Sequence, residues 1–209
     1  VHRSPAMVRL RRAPGAFYLL ALMAVVLTIW APGFFTAANL VNVLLQVAVL
    51  TIVALGMTLV ILTEGIDLSL GPVLGLCGVT ASLMVVAGYP LVAAVAAALA
   101  IGAVLGALNG TLVAVAGMPP FIVTLGTFGI AQSVAIVLTR GDSVVQLPAY
   151  YRWFNDGVFA GIPVPIWATV ALFAVTWMLL YQTKFGRYVF AIGGNRTALK
   201  LAGVRVDAY

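Results

Sequence analysis

Charge is what this sequence has least of. Only 8% of its 209 residues are Asp, Glu, Lys or Arg, while 64% are hydrophobic. A soluble domain carries about 25% charged residues, so most of a water-facing surface is missing. Disorder is excluded too, because it needs low hydrophobicity and high charge. Cysteine occurs once, at Cys77, which excludes a disulfide framework or a cysteine zinc site within the chain. Cys77 lies in an apolar stretch and reads as a small packing residue. Histidine also occurs once, at His2, so any Ser-His-Asp or Cys-His constellation would have to use a terminal residue. No Gly-x-x-x-x-Gly-Lys-Ser/Thr run is present, so this sequence has no P-loop. No catalytic residue, cofactor or metal site is assigned.

What is there is long apolar runs. A transmembrane helix needs about 20 mainly apolar residues, and six candidates fit: 16–31, 40–62, 68–87, 91–115, 121–138 and 165–181. The runs are continuous, not alternating, which favours helices over a barrel. The fold class is therefore all-α, a polytopic transmembrane bundle of about six spans. Ala31-Pro-Gly33, Gly88-Tyr89-Pro90 and Gly117-Met118-Pro119-Pro120 end helices where proline removes an N–H and restricts its predecessor.

The net charge of +6 comes from 11 basic and 5 acidic residues. Its placement argues against nucleic acid as the partner. Arg3, Arg9, Arg11 and Arg12 precede the first span, and Lys184, Arg187, Arg196, Lys200 and Arg205 follow the sixth. Six spans put both clusters on one side, which the positive-inside rule makes cytoplasmic. The other side holds Arg140 and Arg152, offset by Asp142 and Asp156. The expected layout is a cytoplasmic N-terminus over 1–15, a periplasmic loop over 139–164 and a cytoplasmic segment over 184–209. A basic start followed by an apolar run also fits a signal peptide, but the uncharged stretch 32–39 leads on into further spans, which favours a retained helix. The first residue is Val1 and not Met, so a start at Met7, an unusual start and a fragment all remain open.

Glu64 and Asp67 are the only acids between Arg12 and Arg140. An ionisable residue at membrane depth costs about 3 kcal/mol on insertion scales and marks a functional site by default. Asp67 reads either as part of a substrate path or as the cap of a helix beginning Leu68-Ser69. Glu64 reads either as path-lining or as part of a short cytoplasmic turn. Gly65, Gly71, Pro72, Gly75 and Gly78 point to an irregular or closely packed segment. Gly102, Gly106 and Gly110 share one helix face and predict close helix packing within the protein, with a dimer seam as the less favoured alternative. The long loop carries Tyr150, Tyr151, Trp153, Phe154 and Phe159, which suit the membrane interface or a protein contact.

In the cytoplasmic segment, Gly193-Gly194-Asn195 is expected to break the chain. Asn195 would cap a helix over 196–202, and Gly203 stands where a C-terminal glycine belongs. Ala198, Leu201 and Ala202 then share an apolar face and Arg196 and Lys200 the adjacent charged one. Such a helix suits docking into another protein's groove or lying on lipid.

Three segments resemble the membrane permeases of bacterial ATP-binding-cassette importers of the ribose/xylose/arabinose type. They are Thr63-Glu-Gly-Ile-Asp-Leu-Ser-Leu-Gly71, Pro119-Pro-Phe-Ile-Val-Thr-Leu-Gly-Thr127 and Phe185-Gly-Arg-Tyr-Val-Phe-Ala-Ile-Gly-Gly-Asn195, the last with Ala198 and Gly203. The order and spacing hold across most of the chain. The resemblance implies a single permease domain over 1–209 in the bacterial inner membrane. It implies three partners: a cytoplasmic ATPase, a periplasmic sugar-binding protein and a second permease chain forming a homodimer. It places Gly193, Gly194, Asn195, Ala198, Leu201 and Gly203 in the coupling segment. It makes Glu64, Asp67, Ser69 and Thr124 pathway or structural residues. Energy would come from ATP hydrolysed by the partner, so this chain is not itself an enzyme. Glu64 departs from the glycine common in relatives, and Gln132-Ser133 from Arg-Gly. Relatives continue with further spans, so the chain is expected to be an N-terminal portion. Branched-chain amino acids or nucleosides are alternative cargoes, and a secondary transporter is a further alternative.

Overall fold

The computed structural model describes residues 15–206. The basic cluster Arg3, Arg9, Arg11 and Arg12, together with His2 and Met7, lies outside the described residues. Eight helices and one short hairpin are present among those described. They are α1 (Gly15–Trp30), α2 (Ala37–Leu62), α3 (Leu70–Val86), α4 (Leu91–Ala114), α5 (Pro120–Thr139), α6 (Ala149–Asp156), β1 (Val158–Phe159), β2 (Ile162–Pro163), α7 (Val164–Gln182) and α8 (Lys184–Leu201). The strands pair antiparallel, Val158 with Pro163 and Phe159 with Ile162. Helices α2, α4, α5 and α7 are each long and apolar enough to cross a membrane, and α1 and α3 are shorter apolar helices.

The chain divides into two units between Gln46 and Val47, within α2. In the first, α1 ends in the Pro-Gly turn, where Gly33 takes φ +94°. Thr36 then caps α2, its hydroxyl accepting from Asn39 N–H at 3.3 Å, while Asn39 Nδ2 donates to Phe34 O at 2.7 Å.

In the second unit α3 packs against both α4 and α5. Lipid supplies no hydrophobic drive between helices, so close approach of small residues must hold them. Ala81 and Val85 of α3 meet the fully buried Ala94 of α4. Cys77 Sγ donates to Ala98 O at 3.2 Å, and a Cβ added at Gly102 would lie 3.7 Å from that sulfur. Cys77 is thus a packing residue. Gly106 and Gly110 meet no atom within 4 Å in this way. Of the expected glycine stripe only Gly102 has such a neighbour, although α4 still meets the start of α3 further on, at the buried Asn109.

Helix α7 joins α2 through Thr169 Oγ1, which donates to Ala48 O at 3.3 Å and also lies 2.8 Å from Pro165 O. A tight corner at Thr183 turns α7 into α8. Thr183 Oγ1 accepts from Gly186 N–H at 3.3 Å, and Gly186 lies so close to the Leu180 backbone that a Cβ would overlap its carbonyl.

The loop contains structure that its composition does not announce. Helix α6 carries Tyr150, Tyr151, Trp153 and Phe154. Tyr151 OH lies 3.2 Å from Ser82 Oγ on α3, while Trp153 and Phe154 are about half exposed. Phe159 and Trp167 stack edge to face, and Trp167 Nε1 donates to Phe159 O at 3.0 Å.

Candidate functional site

Helix α3 has 17 residues, about 26 Å at 1.5 Å per residue. That is short of the hydrocarbon core of about 30 Å. Ahead of it runs the non-helical backbone 65–69. Irregular backbone at membrane depth is tolerated only where its polar groups find protein or water. Here the protein supplies partners. Thr124 of α5 is buried, accepts from Leu68 N–H at 3.2 Å, and has Ile66 O at 3.2 Å and Pro120 O at 2.9 Å within donor reach. Asp67 Oδ1 accepts from Ser69 N–H at 2.7 Å and from Ser69 Oγ–H at 2.6 Å.

The chain of bonds continues into two other helices. Asn109 Nδ2 of α4 donates to Ser69 Oγ at 3.1 Å, and Thr127 Oγ1 of α5 donates to Asn109 Oδ1 at 2.5 Å. The side chains of Thr127, Asn109 and Ser69 each donate once toward Asp67, so these bonds share one direction and end on a carboxylate. Bonds to an ionised acceptor are shorter and stronger than neutral ones. Ser69, Asn109, Thr124 and Thr127 are all buried. Among the described residues no buried side-chain polar atom lacks a partner.

Sequence reasoning names Asp67, Ser69 and Thr124, and the fold brings them together. It misses Asn109 and Thr127. The signal for Asn109 was its position as the sole amide in the apolar run of α4. Thr127 differs from Thr51, Thr58, Thr80 and Thr111, whose hydroxyls bond carbonyls four residues back in their own helices. Asp67 does not cap a helix starting at Leu68-Ser69: α3 begins at Leu70, and Ser69 occupies the cap position without a side-chain cap bond. The carboxylate instead closes a turn onto Ser69, because its hydroxyl and N–H both face it. Glu64 is exposed and takes no part in this network. Its φ is +64°, a left-handed conformation that costs a non-glycine residue about 1–2 kcal/mol.

The second element is the end of α8. Gly193 and Gly194 stay helical, contrary to the expected three-residue break. Only Asn195 leaves the helix, at φ −164° and ψ 91°. Its Oδ1 accepts from Ala198 N–H at 2.9 Å, an N-cap bond onto the third helical residue. At the other end Gly203 has φ +80°. Gly203 N–H donates to Lys200 O at 3.0 Å and Val204 N–H to Leu199 O at 3.2 Å, the paired bonds of a Schellman motif. Between these caps Ala198 and Ala202 are exposed and Leu201 is 86% exposed. The short helix is fixed at both ends and leaves its apolar face bare.

Comparison with known proteins places residues 39–209 within the family described as branched-chain amino acid transport system / permease component. The ribose import permease protein of Escherichia coli (strain K12) is 42% identical over 193 residues, covering 90% of this chain and 60% of that protein. The ribose import permease protein of Bacillus subtilis (strain 168) is 41% identical, covering 92% and 60%. The D-allose transport system permease protein of Escherichia coli (strain K12) is 34% identical, also covering 92% and 60%. The chain thus spans about 60% of the length of these curated relatives. No solved structure matches.

Proposed function

The chain belongs to that permease family, and on this basis we propose that it serves an ATP-binding-cassette importer carrying a monosaccharide across the bacterial inner membrane. A periplasmic binding protein delivers the sugar, a second copy of the permease completes the pathway, and a separate cytoplasmic ATPase supplies the energy. The N-terminus and the 184–209 segment face the cytoplasm, as their basic residues favour. The observation that carries the reading is the doubly capped helix ending α8, with Ala198 and Leu201 presented to solvent. A rigid, bare apolar face on the basic side of a membrane protein suits docking into a partner's groove. The names of the ribose and allose permeases support a sugar as cargo.

The test is reconstitution of the permease in liposomes with its ATPase and binding protein, offering ribose, allose and leucine. Sugar-loaded binding protein should stimulate ATP hydrolysis and drive uptake. Uptake without the ATPase, or uptake of leucine alone, would overturn the proposal. Ala198→Asp with Leu201→Asp should weaken ATPase co-purification and leave membrane insertion intact. Unchanged co-purification would remove the docking role from this helix.

A further inference from the structure

The docking helix and the polar network are far apart in sequence, yet one backbone contact joins their elements. Gly193, two residues before the kink at Asn195, lies against the carbonyl oxygen of Leu62 so closely that a Cβ would overlap it. Leu62 ends α2. The chain then enters the turn of Glu64 and Gly65, where a Cβ on Gly65 would lie 2.9 Å from Val60 Cγ1 and 3.2 Å from Val60 O. That turn leads directly into Asp67 and Ser69.

We propose that Gly193 is a positioning residue: its contact with Leu62 passes displacement of the docking helix to the non-helical segment that holds Asp67 and Ser69. The proposal rests on the transport reading above and names the point at which its two ends meet. Val189 and Ile192 are buried and anchor α8. The Asn195 cap ties the following turns to its end. Gly193 stands between this anchor and the exposed docking face, as the bearing point of a lever does. The absence of a side chain brings backbone against backbone, with no flexible group between them to absorb the motion. On the receiving side, the turn after Leu62 is closed by Gly65 N–H donating to Val60 O at 2.9 Å and Glu64 N–H to Ile61 O at 2.9 Å. A push on Leu62 therefore moves the turn as a unit. Packed elements with two arrangements carry coupling of this kind.

The test uses the permease assembled with its ATPase and binding protein in liposomes. Gly193→Ala is compared with Gly56→Ala, a substitution in α2 where an added Cβ meets nothing within 4 Å. The readout is sugar taken up per ATP hydrolysed, which a general loss of protein does not change. Gly193→Ala should lower that ratio by roughly two- to thirty-fold, and Gly56→Ala should leave it near the parent value. An undiminished ratio in Gly193→Ala overturns the proposal. Should Gly193→Ala fail to assemble, thiol labelling of Ile66→Cys in a Cys77→Ala background decides the matter, since Ile66 is 51% exposed. Its labelling rate should differ between the nucleotide-free and the ATP-trapped importer, and equal rates overturn the proposal. If the parent itself shows no ATP-dependent uptake, it is the transport reading that fails.

Discussion

Replacing Asn109 by alanine removes the middle of the bond chain and tests whether the three helices are joined as described. Asn109 is 7% exposed, accepts from Thr127 at 2.5 Å and donates to Ser69 at 3.1 Å. Interhelical hydrogen bonds in membrane proteins contribute about 0.6 kcal/mol on average and up to about 1.7. The Thr127 bond is at the short end for O–H···O, so we assign it about 1 kcal/mol, and the longer Ser69 bond about 0.6. The lost amide volume adds about 1 kcal/mol as a cavity. Asn109→Ala should therefore destabilise by about 2.5 kcal/mol.

The decisive measurement is a double-mutant cycle with Thr127→Val, read by SDS-induced unfolding of the purified permease. Thr127→Val alone should cost about 1 kcal/mol. In the Asn109→Ala background that bond is already gone, and the Thr127 hydroxyl can turn to a carbonyl of its own helix, as those of Thr51 and Thr58 do. The second substitution should then cost little, giving a coupling energy of about 1 kcal/mol. Thr51→Val serves as the control, since its hydroxyl bonds Val47 O within α2. Additivity of Asn109→Ala and Thr127→Val within about 0.4 kcal/mol would refute the bond.

Glu64→Gly should stabilise the permease by about 1 kcal/mol, because it relieves a left-handed non-glycine residue; the thermal midpoint in detergent checks this. Gly186→Ala should prevent recovery of folded protein, because its Cβ would overlap the Leu180 carbonyl, and size-exclusion profiles report that directly. Gly203→Ala should weaken the Schellman cap by about 1 kcal/mol and reduce ATPase co-purification by a few-fold, without loss of membrane insertion.

The spans were legible because membrane thickness imposes a length that composition alone can satisfy. The run 91–115 became Leu91–Ala114 and 165–181 became Val164–Gln182. The short helix after Asn195 was legible for a different reason. An asparagine cap and a glycine at the left-handed position act through bonds to residues three to five positions away, so the signal is local. Helix α6 was not legible, since an eight-residue helix is marginal by itself and this one is held by Tyr151 reaching Ser82 from 69 positions away. Gly193 shows the same limit from the other side. Its neighbour Gly194, also helical, meets nothing within 4 Å, and no local pattern tells the two glycines apart.

The polar network gives the irregular segment before α3 its bonding partners. A helix of 17 residues leaves part of the crossing to irregular backbone, and irregular backbone in lipid needs partners for every N–H and C=O. Thr124 serves Ile66 and Leu68 from one helix, and Asp67 serves Ser69 from within the turn itself. That leaves a carboxylate at half-buried depth, which Thr127 and Asn109 stabilise by aligning their donors toward it through Ser69. The acid is therefore tied to the arrangement of three helices at once, and any motion that separates α4 or α5 from the turn must break a bond that points toward its charge. A segment so constrained stays put until something moves its other end, and the turn's other end is Leu62, against which Gly193 rests.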